Sequence, residues 1–217
     1  MSKKQNRSFY YGSGVSVKID DYLLRIFLTE EGFSQFQQTS ERLGKKQFIK
    51  NADGILELQD SHSVKQWLRK YFESIDSSEF EKGGIWSGKN DEGIPKYTIL
   101  STLQRCPASR LEGIMTQLDI HSQFGYKGTI KLNLFNDIDG VSHVRFLNGV
   151  VRVTKDEIEL IDYSSIKNQG AVWESSIIPR DIKLDFSRGL YEKFCEGSMS
   201  YHNPEKKSDI WMGNYDL

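Results

Sequence analysis

The sequence predicts an α+β fold in which antiparallel β-hairpins flank a central helical segment. Residues 1–60 contain apolar–polar alternation and turn signals, residues 61–120 place apolar side chains at helical spacing, and residues 125–185 return to alternation. The order of strands, helices and strands favours α+β over a parallel α/β sheet. We expect residues 1–185 to form one domain, and residues 186–217 to form a short helix and a polar, linker-like tail.

The first sixty residues predict two hairpins. Residues 15–19 alternate apolar and polar side chains, which indicates a half-buried strand. The aspartates at 20–21 suit a turn, and residues 22–28 are rich in residues typical of a second strand. Residues 30–43 are ambiguous, with a weak helical stripe of Phe and Leu side chains. Residues 47–58 predict two further strands around an Asn-Ala-Asp-Gly turn.

The central segment predicts three helices. Asp60 or Ser61 caps the first, whose apolar side chains recur every three or four residues as far as Phe72. The other two helices lie on either side of Pro107, because proline suits the first turn of a helix better than its interior. The predicted elements are a helix at 61–72, a loop at 74–94, and helices at 97–105 and 108–118.

The last third of the chain predicts strands again. The Asn148-Gly149 pair between two apolar alternations is the strongest hairpin signal in the sequence. A short helix is expected in the tail. The predicted elements are strands at 130–134, 144–146, 150–153 and 158–161, and a helix at 190–195.

Composition limits the classes of function. The 217 residues include 29 basic and 30 acidic side chains, a balance that excludes a uniformly basic nucleic-acid coat. Residues 1–70 nevertheless hold 12 basic and 8 acidic side chains, which allows a local phosphate-binding face. Two cysteines, Cys106 and Cys195, are too few for a disulfide framework or a zinc cluster. No apolar run is long enough to span a membrane, so we expect a cytoplasmic protein without membrane partners.

Residues 83–90 nearly match the phosphate-loop pattern G-x-x-x-x-G-K-[ST]. A working loop of that kind needs a preceding strand, a following helix and a hydroxyl for magnesium. The flanking sequence predicts neither element, and Asn90 replaces the hydroxyl. The four histidines are scattered without a helical pair, which argues against zinc. We therefore expect no cofactor.

A group of acidic residues offers an enzymatic alternative. Asp137 and Asp139 beside His143, with Asp162 as a third acid, suggest a metal-dependent primase or nucleotidyl-transfer centre. Two carboxylates next to a glycine are also ordinary turn chemistry. The three acids fall within 26 residues, which is a short span for strands that converge from separate parts of a catalytic sheet. Under the leading interpretation, the protein therefore binds no metal and has no catalytic residue.

The helix predicted from residue 61 has a basic side. Its basic residues fall away from the apolar stripe, and its aromatic residues could face either the core or a base. Basic residues interleaved with aromatic ones suit binding to single strands or to a duplex backbone, although a charged face over an aromatic core is the commoner arrangement. The candidate DNA-binding residues are Lys65, Arg69 and Lys70 in this helix, with Lys45 and Lys46 before it.

The region from 143 to 181 has a specific pattern. It contains HVRFLNGVVRVTKD at 143–156, IDYSS at 161–165, Val-Trp at 172–173 and IIPRD at 177–181. This pattern resembles the region ahead of the ATPase in poxvirus-type primase–helicases of phages and plasmids, whose motors are superfamily 3 helicases. The matching positions, which the resemblance implies are structural, are Phe146, Asn148, Gly149, Val151, Val153, Tyr163, Trp173 and Arg180.

The resemblance implies a role in DNA replication. In the family, ATP hydrolysis belongs to a motor downstream of this region and priming to a domain upstream, and no Walker lysine is matched here. The leading hypothesis is therefore a non-catalytic phage-type module that binds single-stranded or duplex DNA, docks to a replicative helicase, or does both. Its location would be the host cytoplasm if the gene is a phage gene. The metal-dependent enzyme and a purely protein-binding adaptor remain the alternatives.

Overall fold

The computed structural model describes residues 7–13, 16–38, 46–88, 92–138, 140–166 and 169–184. Helices and sheets are both present among them, which confirms the predicted α+β class. Short 3₁₀ turns occur at Ser77–Phe80 and Glu174–Ser176. The strands and helices are β1 (Tyr10–Ser13), β2 (Ser16–Ile19), α1 (Asp21–Glu30), β3 (Phe33–Gln37), β4 (Lys46–Ala52), β5 (Ile55–Gln59), α2 (Ser61–Ser74), α3 (Lys96–Arg105), α4 (Ala108–Met115), β6 (Ile120–Ser122), β7 (Ile130–Lys131), β8 (Val141–Phe146), β9 (Gly149–Thr154), β10 (Ile158–Ile161), α5 (Tyr163–Ile166) and β11 (Val172–Trp173).

The largest sheet is mixed and has the order β11-β5-β4-β3-β6-β7. Its centre, β3-β4-β5, is antiparallel, whereas β6, β7 and β11 join in parallel. A separate antiparallel sheet has the order β10-β9-β8, and β1 pairs with β2. The predicted hairpins β4–β5 and β8–β9 are confirmed. The parallel pairs at the edges and strand β6 were not predicted.

The strand predicted over residues 22–28 is wrong, because these residues form α1. The carboxylate of Asp20 accepts a hydrogen bond from the amide of Leu23 at 3.1 Å and caps the helix. Leu24, Phe27 and Leu28 are then buried together on one helical face. The hairpin in this region instead joins β1 to β2.

The weak helical stripe in residues 30–43 also proved misleading, because β3 occupies its first half. Every residue of β3 is buried, since the strand lies inside a sheet with a core on each side. Phe33 packs in the core with the helices, and Phe36 packs on the opposite face with Ile49. The rest of the stripe, at Leu43, lies outside the described residues.

The two confirmed hairpins have different turns. In the β4–β5 turn, Asp53 and Gly54 both have positive φ, at 53° and 91°, the geometry that Asp-Gly favours in a tight hairpin. In the β8–β9 turn, Phe146 pairs directly with Gly149. The central residues of that turn are therefore Leu147 and Asn148, one position earlier than the Asn-Gly signal suggests.

The predicted central helices are confirmed. Asp60 caps α2, where its carboxylate accepts a hydrogen bond from the amide of Ser63 at 2.6 Å. Pro107 is the N-cap residue of α4, directly after α3. The main core lies among α1, α2, α3, α4 and β3. Its largest fully buried side chains include Phe9, Tyr10, Phe33, Phe72 and Phe80.

Several predictions fall outside the described part of the chain. The helix expected at 190–195 and the whole tail 186–217 lie outside it, as does Cys195. The division into a domain and a linker-like tail therefore stays a prediction. Among the described residues, no helix combines the length and the apolar character that a membrane crossing requires.

Candidate nucleic-acid interface

A groove between α2 and α3 is the surface on which predicted basic residues meet. It has a volume of about 400 Å³, and Lys65, Arg69 and Glu73 line its α2 side. Tyr97 and Gln104 line its α3 side. Residues four apart on a helix lie about 6 Å apart along its axis, so Lys65, Arg69 and Glu73 form one row. We call this surface the α2–α3 groove.

The predicted basic residues that the structure describes differ in their environment. The Lys65 ammonium is half-buried and donates a hydrogen bond to the carbonyl of Cys106 at 2.9 Å. The Arg69 side chain is 61% exposed, and its Nε lies 2.7 Å from Oε1 of Glu73. Lys70 and Lys46 are exposed but do not line the α2–α3 groove, and Lys45 lies outside the described residues. The structure thus brings two of the five candidates together.

The aromatic residues of α2 face the core. Trp67 packs edge-to-face against Phe33, with ring centroids 4.9 Å apart, and Phe72 packs against Trp86 at 4.8 Å. The Lys50 ammonium lies 5.0 Å from the Trp67 ring centroid. These rings stabilise the fold, so the prediction that α2 could offer its own aromatics to a base is not supported by their positions.

The exposed aromatic residue of the α2–α3 groove is Tyr97, which is not among the DNA-binding residues predicted from the sequence. Its side chain is 69% exposed. In α3 the buried residues are Thr98, Ile99 and Leu103, of which the apolar pair Ile99 and Leu103 is four residues apart. Tyr97 lies two residues before Ile99. Two residues correspond to about 200° of rotation around a helix, so the position of Tyr97 off the stripe was the available sequence signal.

A second groove lies on the other side of Tyr97. It has a volume of about 750 Å³ and is lined by Phe80, Lys82 and Ile94, among others. Lys96 also lines it, and its ammonium donates hydrogen bonds to the carbonyls at 73 and 75, at 2.8 Å and 2.5 Å. Lys82 is exposed. We call this surface the Lys82 groove.

The acidic alternative has local explanations for two of its residues. Oδ1 of Asp137 accepts a hydrogen bond from the backbone amide of His143 at 2.9 Å and lies 3.1 Å from its Nδ1. The side chain and amide of Ser164 hold the pKa of Asp162 below its ordinary value by hydrogen bonding to it. Asp139 lies outside the described residues, so the three-acid centre stays a prediction. Within the described ranges, no group of three or more His, Cys, Asp or Glu side chains is arranged to hold a metal.

The residues of the family resemblance lie mainly at one end of the β8–β9 hairpin. The side chain of Asn148 forms two hydrogen bonds with Ile182, donating to its carbonyl at 2.7 Å and accepting from its amide at 2.9 Å. The Tyr163 hydroxyl donates to the carbonyl of Phe146 at 2.7 Å. The Arg180 guanidinium lies 5.9 Å from the Phe146 ring centroid. We call Phe146, Asn148, Gly149, Tyr163 and Arg180 the hairpin-end cluster.

The remaining positions of the resemblance are structural in different ways. Val151 is buried in the middle strand of the small sheet, and Val153 is half-buried in the same strand. Trp173 belongs to the large sheet, where it packs edge-to-face on Phe36 at 5.2 Å. The structure therefore brings five of the eight positions together, with Val151 and Val153 further along the same strand β9 and Trp173 in the large sheet.

Comparison with known proteins gives no relative for this chain. No protein-family model matches the sequence, and no curated protein or solved structure matches it. Family membership therefore stays an expectation from residues 143–181.

Proposed function

We propose that this protein is a non-catalytic DNA-replication module that binds DNA at the α2–α3 groove and docks to a replicative helicase. The observation that most directly supports DNA binding is the row of Lys65 and Arg69 on one groove wall, opposite the exposed Tyr97. Phosphate contacts from basic side chains supply most of the affinity of non-specific DNA binding. The expected location is the cytoplasm, which would be that of the host if the gene is a phage gene.

The bonds that these cations already make leave them able to contact phosphate. Lys65 donates one hydrogen bond to a neutral carbonyl and forms no ion pair with a carboxylate among the described residues, so two of its donors are available for phosphate. Arg69 pairs with Glu73, but both side chains are substantially exposed, and such surface pairs contribute little free energy. A phosphate can therefore replace Glu73 as the partner of Arg69 at small cost.

The helicase partner is supported by the resemblance of residues 143–181 to the region beside a helicase motor. The residues of that resemblance are mostly engaged in the hairpin-end cluster. The resemblance therefore supports the kind of complex in which the protein would work, and it identifies no contact residue for the helicase.

Fluorescence anisotropy with labelled single-stranded and duplex oligonucleotides tests DNA binding. We expect binding at low salt whose affinity falls steeply as salt rises, because counterions are released from neutralised phosphates. Arg69→Gln should weaken binding several-fold and reduce the salt slope by about 0.7 to 1 for one lost phosphate contact. Lys155→Gln is the matched control, since Lys155 is exposed on the β9–β10 turn, in another sheet.

Other results would overturn the proposal in different ways. A flat titration at low salt removes DNA binding, and a purified helicase that still binds would then identify a protein adaptor. Equal effects of the Arg69 and Lys155 substitutions would show that the α2–α3 groove is not the DNA site. Magnesium- or manganese-dependent nucleotide incorporation that is lost in Asp137→Ala would establish the enzyme alternative.

A further inference from the structure

Tyr97 is prominent among the exposed aromatic side chains of the described residues. Its ring is 69% exposed, and no hydrogen bond or ring contact joins its side chain to another described residue. Tyr22 is comparably exposed at 62%, but the Arg25 guanidinium covers its ring at 5.1 Å from the centroid. Tyr97 thus presents an uncovered aromatic face to solvent.

Tyr97 also lies where the two grooves meet. Tyr97 and Leu100 line both the α2–α3 groove and the Lys82 groove, so the two grooves form one continuous surface on either side of α3. The Tyr97 ring stands at the boundary, between Arg69 on one side and Lys82 on the other. A ligand that follows both grooves has to pass this ring.

The charges on both sides suit a polyanion. The α2–α3 groove contains Lys65 and Arg69 against Glu73. The Lys82 groove contains Lys82 and Lys96 against Glu81. Each groove thus has more cationic than acidic side chains, in a protein whose total charge is −1. Cationic grooves with an aromatic side chain between them are the arrangement that holds a single strand by its phosphates and stacks one of its bases.

We infer that single-stranded nucleic acid crosses α3 from the α2–α3 groove to the Lys82 groove and stacks a base on Tyr97. This inference rests on the proposed DNA-binding function and adds the class of nucleic acid and the residue that recognises it. A single strand is favoured over a duplex because unpaired bases expose their faces, whereas the bases of a duplex are already stacked on one another. Recognition by stacking tolerates any sequence, so little base preference is expected.

Anisotropy with a labelled 15-nucleotide oligothymidylate and a duplex of equal length tests the inference. Tyr97→Ala should weaken binding to the single strand about tenfold, the range found when a stacking residue is removed, and leave duplex affinity within about twofold. Tyr97→Phe should keep the affinity, since the ring and not the hydroxyl stacks. Tyr22→Ala is the matched control and should behave like the unmodified protein.

A photochemical experiment locates the contact directly. An oligonucleotide with one 5-iododeoxyuridine should form a cross-link on irradiation, and mass spectrometry of the digested complex should place it on the peptide that contains Tyr97. A cross-link on another peptide, together with unchanged affinity in Tyr97→Ala, would overturn the inference. Equal loss of single-strand and duplex affinity in Tyr97→Ala would also overturn it, because stacking on an unpaired base cannot explain that result.

The outcomes separate this inference from the function on which it rests. If the unmodified protein binds and Arg69→Gln weakens binding while Tyr97→Ala does not, DNA binding stands and the stacking inference fails. If the unmodified protein binds no oligonucleotide at low salt, the proposed DNA-binding function fails, and the stacking inference fails with it. In that case, loss of helicase binding in Tyr97→Ala would assign the surface to a protein partner.

Discussion

The surface beside α3 and the hairpin-end cluster contrast in what their polar groups do. In the hairpin-end cluster, Asn148 and Tyr163 form hydrogen bonds with the protein's own backbone, and Arg180 lies over a buried ring. Beside α3, Arg69 and Lys82 are exposed, and Tyr97 is bonded to no other described side chain. The difference lies in bonding and not in exposure, since Asn148 and Arg180 are also exposed. Their side chains already contact other parts of the fold, whereas the Tyr97 ring makes no hydrogen bond or ring contact with another described residue.

This contrast separates two kinds of information in the sequence. The residues on which the expected family resemblance depends contact other parts of the fold, at the end of the β8–β9 hairpin and in the sheets. The residues that we propose to bind DNA match no sequence motif and are distinguished by their charge or aromatic ring and by their position beside α3. If the two regions differ in this way, substitutions in the hairpin-end cluster should lower stability without changing DNA affinity. Substitutions of the exposed residues beside α3 should lower DNA affinity without changing stability.

The largest expected effect is that of Gly149→Ala. Gly149 has a φ of +149°, and an added Cβ would lie 2.6 Å from the carbonyl oxygen of Ile161. That oxygen belongs to the backbone of a paired strand and cannot move away easily. We expect a loss of about 3 kcal/mol in the free energy of unfolding, from steric overlap added to backbone strain. Urea denaturation measures it.

Gly128→Ala is the control for that substitution. Gly128 also has a positive φ, +85°, but an added Cβ would meet nothing within 4 Å. Its expected cost is about 1 kcal/mol, from backbone strain alone. At a temperature where both variants are folded, neither should alter single-strand affinity. A loss of affinity confined to Gly149→Ala would break the division between the two regions.

The next effect is that of Tyr163→Phe. The change removes the hydroxyl that donates to the carbonyl of Phe146 at 2.7 Å. The Tyr163 side chain is partly buried, and this burial raises the pKa of its phenol. We expect a loss of about 1 kcal/mol in unfolding free energy, again with unchanged DNA affinity. Tyr126→Phe is the control, because no hydrogen bond joins the Tyr126 hydroxyl to another described residue, and it should change stability by less than about 0.5 kcal/mol.

Much of the fold could be predicted because local signals agreed with tertiary structure. The cap at Asp60, the proline at 107 and the apolar stripe of α2 all indicated the helices that formed. Residues 22–28 were predicted as a strand because their side chains suit a strand as well as a helix. The deciding interactions were the cap at Asp20 and the packing of one helical face against the core, and packing of that kind is not visible in a short segment.

The candidate site could be predicted only in part. Lys65 and Arg69 were identified because charge stands out on a helix with an apolar stripe. Tyr97 was missed because its role depends on the grooves on either side of α3, which residues distant in sequence create. The parallel pairing of β6 with β3 was missed for a similar reason, since the two strands are separated by three helices.

The smallest expected effect tests whether the roles in stability and in DNA binding are separated residue by residue or by whole regions of the molecule. Asp60 precedes the same helix as Arg69, but its carboxylate caps α2. Hydrogen bonds from the side chain and the amide of Ser63 hold the pKa of Asp60 below its ordinary value. Because the folded-state pKa is the lower one, the unfolded chain takes up the proton first as the pH falls. The stabilisation is therefore present above about pH 4 and lost as the pH falls through the folded-state pKa.

Asp60→Asn isolates this effect, since asparagine also caps a helix but does not titrate in this range. We expect the variant to unfold near the midpoint of the unmodified protein in urea at pH 7, and to lose less stability between pH 7 and pH 3. The other carboxylates titrate in both proteins, so their contributions cancel in the difference between the two losses. Equal losses would show that the Asp60 charge does not stabilise α2. A smaller loss in Asp60→Asn would show that, even beside the proposed DNA site, residues bonded to the backbone serve the fold.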